Sequence, residues 1–276
     1  MLSAGSTFAG YEIEGVVGSG GVGILYRARQ LRLDRPVALK LVEPDIASDA
    51  VIRERLRRET RTVAALDHPN IAPLYEAGEQ DGTIYIVTRW VEGTELGELI
   101  RRESPVEPAR AARLAAQIAD ALEFAHEKGL VHRAVKPSNV IVTDEGHVYL
   151  TDFGLAKRGG SASGLTGAAQ QLATVDYVAP EAIEGHEPVA AGDVYALGCV
   201  LYEMLVGTAP FAGEAGGMAK MWAQLNSDAP SVAEQRPDVP GALEDLIMQA
   251  LAKRPEDRPS APRFRRSALR AVGEAR

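Results

Sequence analysis

The stretch His132-Arg133-Ala134-Val135-Lys136-Pro137-Ser138-Asn139 decides the reading of this chain. It follows a segment of helical period, Pro108 to Lys128, with Leu114, Ile118, Leu122 and Ala125 on one face. Two short strand-like runs come next, Val140–Thr143 and His147–Leu150. Asp152-Phe153-Gly154 then stands thirteen residues beyond Asn139. An asparagine and an aspartate flanking one hairpin are placed to share a hard cation through oxygen ligands. A bare Asp-Phe-Gly is a common turn; at this spacing from the upstream block it is specific.

Toward the N-terminus the chain reads as strands. Tyr11–Val17, Ile24–Arg29 and Val37–Val42 are short, rich in Val, Ile, Leu and Tyr, and bounded by Gly or Asp-Arg-Pro. Asp49 to Leu66 has helical period, with Ile52, Leu56, Val63 and Leu66 in one stripe. Further strands are expected at Ile71–Tyr75 and Thr83–Thr88. Gly18-Ser19-Gly20-Gly21-Val22-Gly23 contains G-x-G-x-x-G, which alone is weak. A dinucleotide-binding turn would open a helix. Here a second strand follows, so the glycines sit at a hairpin tip, where backbone N–H groups can approach phosphate oxygens without a Cβ. Lys40 ends the strand Val37-Ala38-Leu39-Lys40, and an isolated lysine there would reach into water. Glu59, however, falls inside the apolar stripe of the next helix, where a carboxylate needs a cation. Lys40 is the natural partner.

Toward the C-terminus the pattern is mostly helical. Arg158 to Ala169 has four Gly, two Ser and one Thr in twelve residues and reads as a functional loop. Ala179-Pro180-Glu181 follows it. Asp193 opens an apolar helix, Val194–Val206, and Arg258 is a plausible partner for Glu181. Glu244–Lys253 and Pro262–Val272 close the chain.

The chain has 276 residues, 46% hydrophobic and 25% charged, with 30 Lys and Arg against 38 Asp and Glu, a net charge of −8. That balance fits an ordinary globular chain and disfavours nucleic acid as a partner. The single cysteine, Cys199, forms no internal disulfide and fits a reducing compartment. The start has no basic or apolar signal region. The longest strongly apolar stretch, Val194–Tyr202, is short of the ~17–25 residues a membrane span needs.

Together these motifs, in order, resemble the protein kinase family, and their texture is similar to bacterial eukaryotic-like Ser/Thr kinases. The resemblance runs from about Tyr11 to the C-terminus. It implies an α+β, two-lobed fold: a β-rich N-lobe (1–88), a hinge (89–93) and a helical C-lobe (94–276). It implies ATP and Mg²⁺ as cofactors. Gly18, Ser19, Gly20, Gly21, Val22 and Gly23 would cover the phosphates, Val17, Ala38 and Ile141 would sandwich the adenine ring, and Leu25 would also line the nucleotide site. Thr88 would be the gatekeeper, beside the adenine-facing backbone of Arg89 and Val91. Lys40, positioned by Glu59, would meet the α and β phosphates, and Asn139 and Asp152 would hold magnesium. Lys136 belongs to the Ser/Thr class of catalytic loop. Thr174 would sit in the loop before Ala179, and Ser161, Ser163 or Thr166 would be phosphorylated by an upstream or sister kinase, with Thr166 the first choice and Arg133 its partner. The implied partner is a protein substrate, the implied compartment cytoplasmic, and a homodimer is a further expectation.

The chain departs from the family where the base should be. The family reads His-Arg-Asp; this chain reads His132-Arg133-Ala134. Alanine neither accepts the substrate hydroxyl proton nor orients the nucleophile. Ala173 also replaces a usual glycine. Two functions follow: a Ser/Thr kinase crippled by Ala134, or an ATP-binding pseudokinase acting as scaffold or allosteric partner. A small-molecule phosphotransferase of related fold is disfavoured by the Ala179-Pro180-Glu181 platform. An introduced inactivating change and a natural pseudokinase are both open as origins of Ala134.

Overall fold

In this computed structural model residues 1–20, 23–42, 60, 62–153 and 175–274 are described. The chain divides into two compact units, Met1–Glu92 and Gly93–Arg276. The first is β-rich and the second helical, a mixed α+β architecture.

The first unit is a six-stranded antiparallel sheet. In chain order its strands are β1 (Thr7–Phe8), β2 (Tyr11–Gly20), β3 (Gly23–Gln30), β4 (Arg35–Val42), β5 (Leu74–Gln80) and β6 (Thr83–Arg89). They lie in the order β1-β2-β3-β4-β6-β5. Strand alternation sorts the side chains. Val37 and Leu39 of β4 are fully buried and join Tyr11, Ile13, Tyr26, Ala28, Tyr85 and Val87 in one apolar cluster. Phe8 and Tyr11 both meet the Tyr85 ring edge-on, at 5.7 and 6.4 Å. Ala38 and Lys40 therefore stand on the opposite face. The strand expected at Ile71–Tyr75 is corrected: the ladder begins only at Leu74. Pro73 lacks an N–H donor, and just before Leu74 the Pro73 carbonyl accepts from Arg89 N at 2.9 Å. Of the helix expected over Asp49–Leu66, residues 49–59 and 61 lie outside the described residues. Val63 and Leu66 are buried.

The second unit opens with β7 (Thr94–Glu95), which pairs with β8 (Val140–Val142), itself paired with β9 (Val148–Leu150). Its helices are α1 (Leu96–Glu103), α2 (Pro108–Glu127), α3 (Pro180–Ile183), α4 (Ala190–Val206), α5 (Gly217–Asn226), α6 (Val232–Gln235), α7 (Gly241–Ala250) and α8 (Ala261–Ala271). Helix α2 starts at a proline, and the Glu107 carboxylate caps it by accepting from Ala109 N and Arg110 N at 2.8 and 2.7 Å. Its apolar face, including Leu114, Ile118 and Leu122, is buried. Helix α4 is apolar nearly all round and buried along its length, and Asp193 lies in its first turn. It is the central rod of the unit, packing against α2 and α7.

Candidate active site

The loop His132–Asn139 is held by buried hydrogen bonds. Asp193, 2% exposed on α4, accepts from the backbone N–H of His132 at 2.8 Å and of Arg133 at 2.7 Å. Its Oδ2 also meets His126 Nε2 at 2.8 Å, from the last turn of α2. These bonds hold a backbone that would otherwise relax, since Arg133 has φ of 69°, in the left-handed region. His132 is fully buried. Its Nδ1 accepts from Ala134 N at 3.2 Å, so its Nε2 carries the proton and donates to the Thr151 carbonyl at 2.8 Å. Burial lowers its pKa, with Asp193 opposing, and the imidazole is neutral. The His132 ring packs edge-on against Phe153 at 4.4 Å.

Both backbone groups of Ala134 are thereby fixed. Its N–H goes to His132, and its carbonyl accepts from Asn139 Nδ2 at 2.8 Å. The side chain is a half-buried methyl group. The bond through Nδ2 orients the Asn139 amide, whose Oδ1 makes no hydrogen bond among the described residues. Asn139 closes a one-turn 3₁₀ segment, Pro137–Asn139, that leads into β8. Its carbonyl accepts from Thr151 N at 2.9 Å, extending the β8–β9 pairing to the residue before Asp152. Asp152 has φ of 63°, a second left-handed non-glycine residue two positions beyond β9. Helix α2 pins the far end of this hairpin: Gln117 Nε2 donates to Gly146 O at 3.0 Å and its Oε1 accepts from Val148 N at 2.9 Å. The carboxylate, the amide oxygen and the hairpin fit a magnesium ion held by oxygen ligands.

In the first unit, register places a row of the predicted nucleotide residues on one face. Gly18 pairs with Leu25 and Leu25 with Lys40; Ala38 pairs with Thr88. The glycines of the turn differ in kind. At Gly23, φ is 154° and a Cβ would stand 1.8 Å from the Leu41 carbonyl, so the sheet itself requires glycine. At Gly18 a Cβ would meet nothing within 4 Å among the described residues, so packing does not explain it. Open space at Gly18, in register with Lys40 through Leu25 of the intervening strand, fits an approaching phosphate group.

The Ala179-Pro180-Glu181 segment is clamped. Arg258 meets Glu181 in two parallel bonds of 2.7 Å, with the guanidinium side chain fully buried. Its remaining donors reach Ala252 O, Ala191 O and Lys253 O at 2.8, 3.0 and 2.9 Å. All five guanidinium N–H groups are spent. The preceding residues are held by α5: Lys220 pairs with Asp176 at 2.7 Å, and buried Gln224 donates to Val175 O and Asp176 O at 3.2 and 2.9 Å.

A model of the protein kinase domain matches residues 11–268. The chain belongs to the protein kinase family. The serine/threonine-protein kinase PknE of Mycobacterium tuberculosis is 38% identical over 254 residues, 92% of this chain and 44% of that protein. PknD of the same organism is 40% identical over 255 residues, 92% of this chain and 38% of that protein. The chain thus spans less than half the length of these relatives. Among solved structures, the M. tuberculosis PknI kinase domain superposes with a TM-score of 0.79 at 29% identity, covering 98% of this chain and all of that one.

The kinase fold brings Ala134, Lys136, Asn139, Ile141 and Asp152 into one loop-and-hairpin of the helical unit, and Leu25, Ala38, Lys40 and Thr88 onto one face of the sheet unit. Val17 lies at a register irregularity of β2, Ser19 pairs with Ile24, Gly20 with Gly23, and Arg89 ends β6. Gly21, Val22, Glu59, Gly154, the loop Arg158–Ala169, Ala173 and Thr174 lie outside the described residues. The Glu181–Arg258 pair is present as expected. Sequence reading did not find His126, Gln117, Lys220 or Gln224. His126 and Gln117 adjoin the apolar stripe of α2, but Lys220 and Gln224 lie opposite the apolar residues of α5, of which Met218 and Trp222 are exposed, so periodicity gave no cue to them.

Proposed function

We propose that this kinase domain binds ATP with magnesium and, for want of a base at Ala134, transfers phosphate to protein serine or threonine only near background. The observation that carries it is the contrast at one loop: His132 and Asn139 bond the backbone of Ala134 at both ends, Asp193 and Thr151 hold His132 in place, and the side chain there is a methyl group. ATP–Mg²⁺ supplies the γ-phosphoryl group and neutralises its charge when bound. Lys40, positioned by Glu59, would hold the phosphates; Asn139 and Asp152 would hold the metal; the backbone of Arg89 and Val91 would receive the adenine edge beside the gatekeeper Thr88, and Val17, Ala38 and Ile141 its faces. Lys136 would serve the same loop as the catalytic lysine of the Ser/Thr class. The half-buried methyl of Ala134 leaves the substrate hydroxyl without a proton acceptor.

A thermal-shift titration tests the binding half. ATP–Mg²⁺ is expected to raise Tm by mass action in the parent, and much less in Lys40→Ala and Asn139→Ala. An unchanged parent Tm at millimolar nucleotide contradicts it. The pseudokinase reading, a scaffold that works by contact, shares this binding step. The names of the relatives favour an enzyme of the Ser/Thr class, and the loop 158–174 would then be the segment a sister kinase phosphorylates.

A further inference from the structure

We propose that Arg27 and Trp90 are positioning residues for adenine recognition: they staple segment 90–92 to the sheet by its side chains and leave its backbone for the nucleotide. Strand β6 ends at Arg89. Beyond it, the backbone N–H and C=O groups of Trp90, Val91 and Glu92 make no hydrogen bond among the described residues. Trp90 and Val91 are nonetheless half-buried. Backbone polar groups shielded from water call for partners, and the Val91 backbone is one that would receive the adenine edge.

Side chains hold the segment. Trp90 Nε1 donates to Glu92 Oε1 at 2.9 Å. The Arg27 guanidinium lies over the Trp90 ring, 5.0 Å from its centre, and its Nη2 reaches the same Glu92 oxygen at 3.5 Å. Arg27 is itself anchored: its Nε donates to Glu14 Oε2 at 2.8 Å, while the other Glu14 oxygen meets Arg29 Nε at 3.2 Å. The sheet explains the aim of these groups. Arg27 pairs with Ala38 and Ala38 with Thr88, so Arg27 shares a row and a face with Thr88, two residues before Trp90. Glu14 falls at the register shift between Ile13 and Gly15, an irregularity of the kind that re-aims a side chain. Each contact is partly exposed and weak alone. Trp90, Glu92 and Arg27 close them into one ring, so that losing any member releases the others.

The ring lies wholly in the first unit and acts through the backbone it fixes, not by touching the nucleotide. With no ladder bond of its own, segment 90–92 would otherwise sample several conformations. Apparent affinity for adenine then falls with the fraction of chains in the competent one. Binding of the phosphates at Lys40 does not pass through this segment, so adenine and phosphate recognition separate. The inference rests on the ATP reading for its ligand.

The test is calorimetric titration of the full chain with ATP–Mg²⁺ and with tripolyphosphate–Mg²⁺, which keeps the phosphates and lacks adenine. Trp90→Ala and Arg27→Met should each weaken ATP binding ~3- to 10-fold and leave tripolyphosphate binding unchanged. The double variant should lose no more than the worse single variant, since both break one ring. Trp90→Phe, which keeps an aromatic face under the guanidinium, should retain most of the affinity. Unchanged ATP affinity in both single variants, an equal loss for tripolyphosphate, or additive losses overturns the proposal. Trp90 also gives a reading without nucleotide. In a Trp222→Phe background it is the only tryptophan, and Arg27→Met should raise the quenching of its emission by acrylamide. That rise in a chain that binds neither ligand places the failure in the ATP reading; quenching that does not change overturns the staple.

Discussion

The Glu181–Arg258 clamp and the Ala134 loop lie in the same unit, and both are networks of buried polar groups tied to backbone. They differ in where the network ends. At the clamp every guanidinium donor finds a protein acceptor, and nothing is left over for a ligand. At the loop, Asp193 and His132 are spent on fixing backbone, while Asn139 keeps Oδ1 and Ala134 presents a methyl group. A closed network is structural. One that fixes backbone and leaves the Asn139 amide oxygen over among the described residues fits the proposed site, where Ala134 offers no base.

The comparison can be broken first at the clamp, where the largest effect is expected. Arg258→Ala or Glu181→Ala leaves a buried charge unpaired and should cost about 3–5 kcal/mol, read by urea unfolding. A cost below about 1 kcal/mol would mean that water reaches the pair and that the network is open.

The two glycines sharpen the same contrast in the sheet unit. Gly23→Ala forces a Cβ against the Leu41 backbone and a residue with φ of 154°, and should lose about 1–3 kcal/mol. Gly18→Ala should change stability by less than about 0.5 kcal/mol and instead weaken ATP–Mg²⁺ binding. Loss of stability at Gly18 with nucleotide binding intact would reverse the assignment.

His132 gives a pH dependence with a definite sign. Burial lowers its folded pKa, so below its ordinary value of about 6.5 the unfolded chain takes up a proton that the folded chain refuses. Stability from this group is full above pH 7 and falls as pH drops through about 6.5, by at most about 1.4 kcal/mol per pH unit. Half-buried Glu203, whose pKa is raised by desolvation, works in the opposite sense. The test is therefore the difference between the parent and His132→Phe, which keeps a ring against Phe153. The parent curve should fall more steeply between pH 7 and 5.5; parallel curves would show that His132 is charged or solvated in the fold.

Much of this site was legible in the sequence, because kinase motifs sit at strand ends and turns where chemistry and local structure coincide. Lys40 stands two residues before the end of β4, not at its end as the sequence suggested, Asn139 and Asp152 flank a hairpin, and Glu181 follows a proline. What was not legible depends on distant partners. His126 meets Asp193 across 67 residues, and Gln224 meets Val175 across 49. A single polar residue in a helix does not announce such a partner. The strand placed at Ile71–Tyr75 holds from Leu74 onward and starts late for a local reason, since Pro73 lacks the donor that would carry the ladder back.

The central claim is that only the base is missing, and phosphotransfer to a generic protein substrate at saturating ATP–Mg²⁺, parent beside Ala134→Asp, tests it most directly. The backbone of residue 134 is bonded at both ends, so an introduced carboxylate should arrive already placed. The account predicts a parent near background and a gain of at least ~10²-fold in kcat for Ala134→Asp, with nucleotide affinity little changed. Vigorous turnover by the parent, or an Ala134→Asp variant that binds ATP–Mg²⁺ yet is inert, would contradict it.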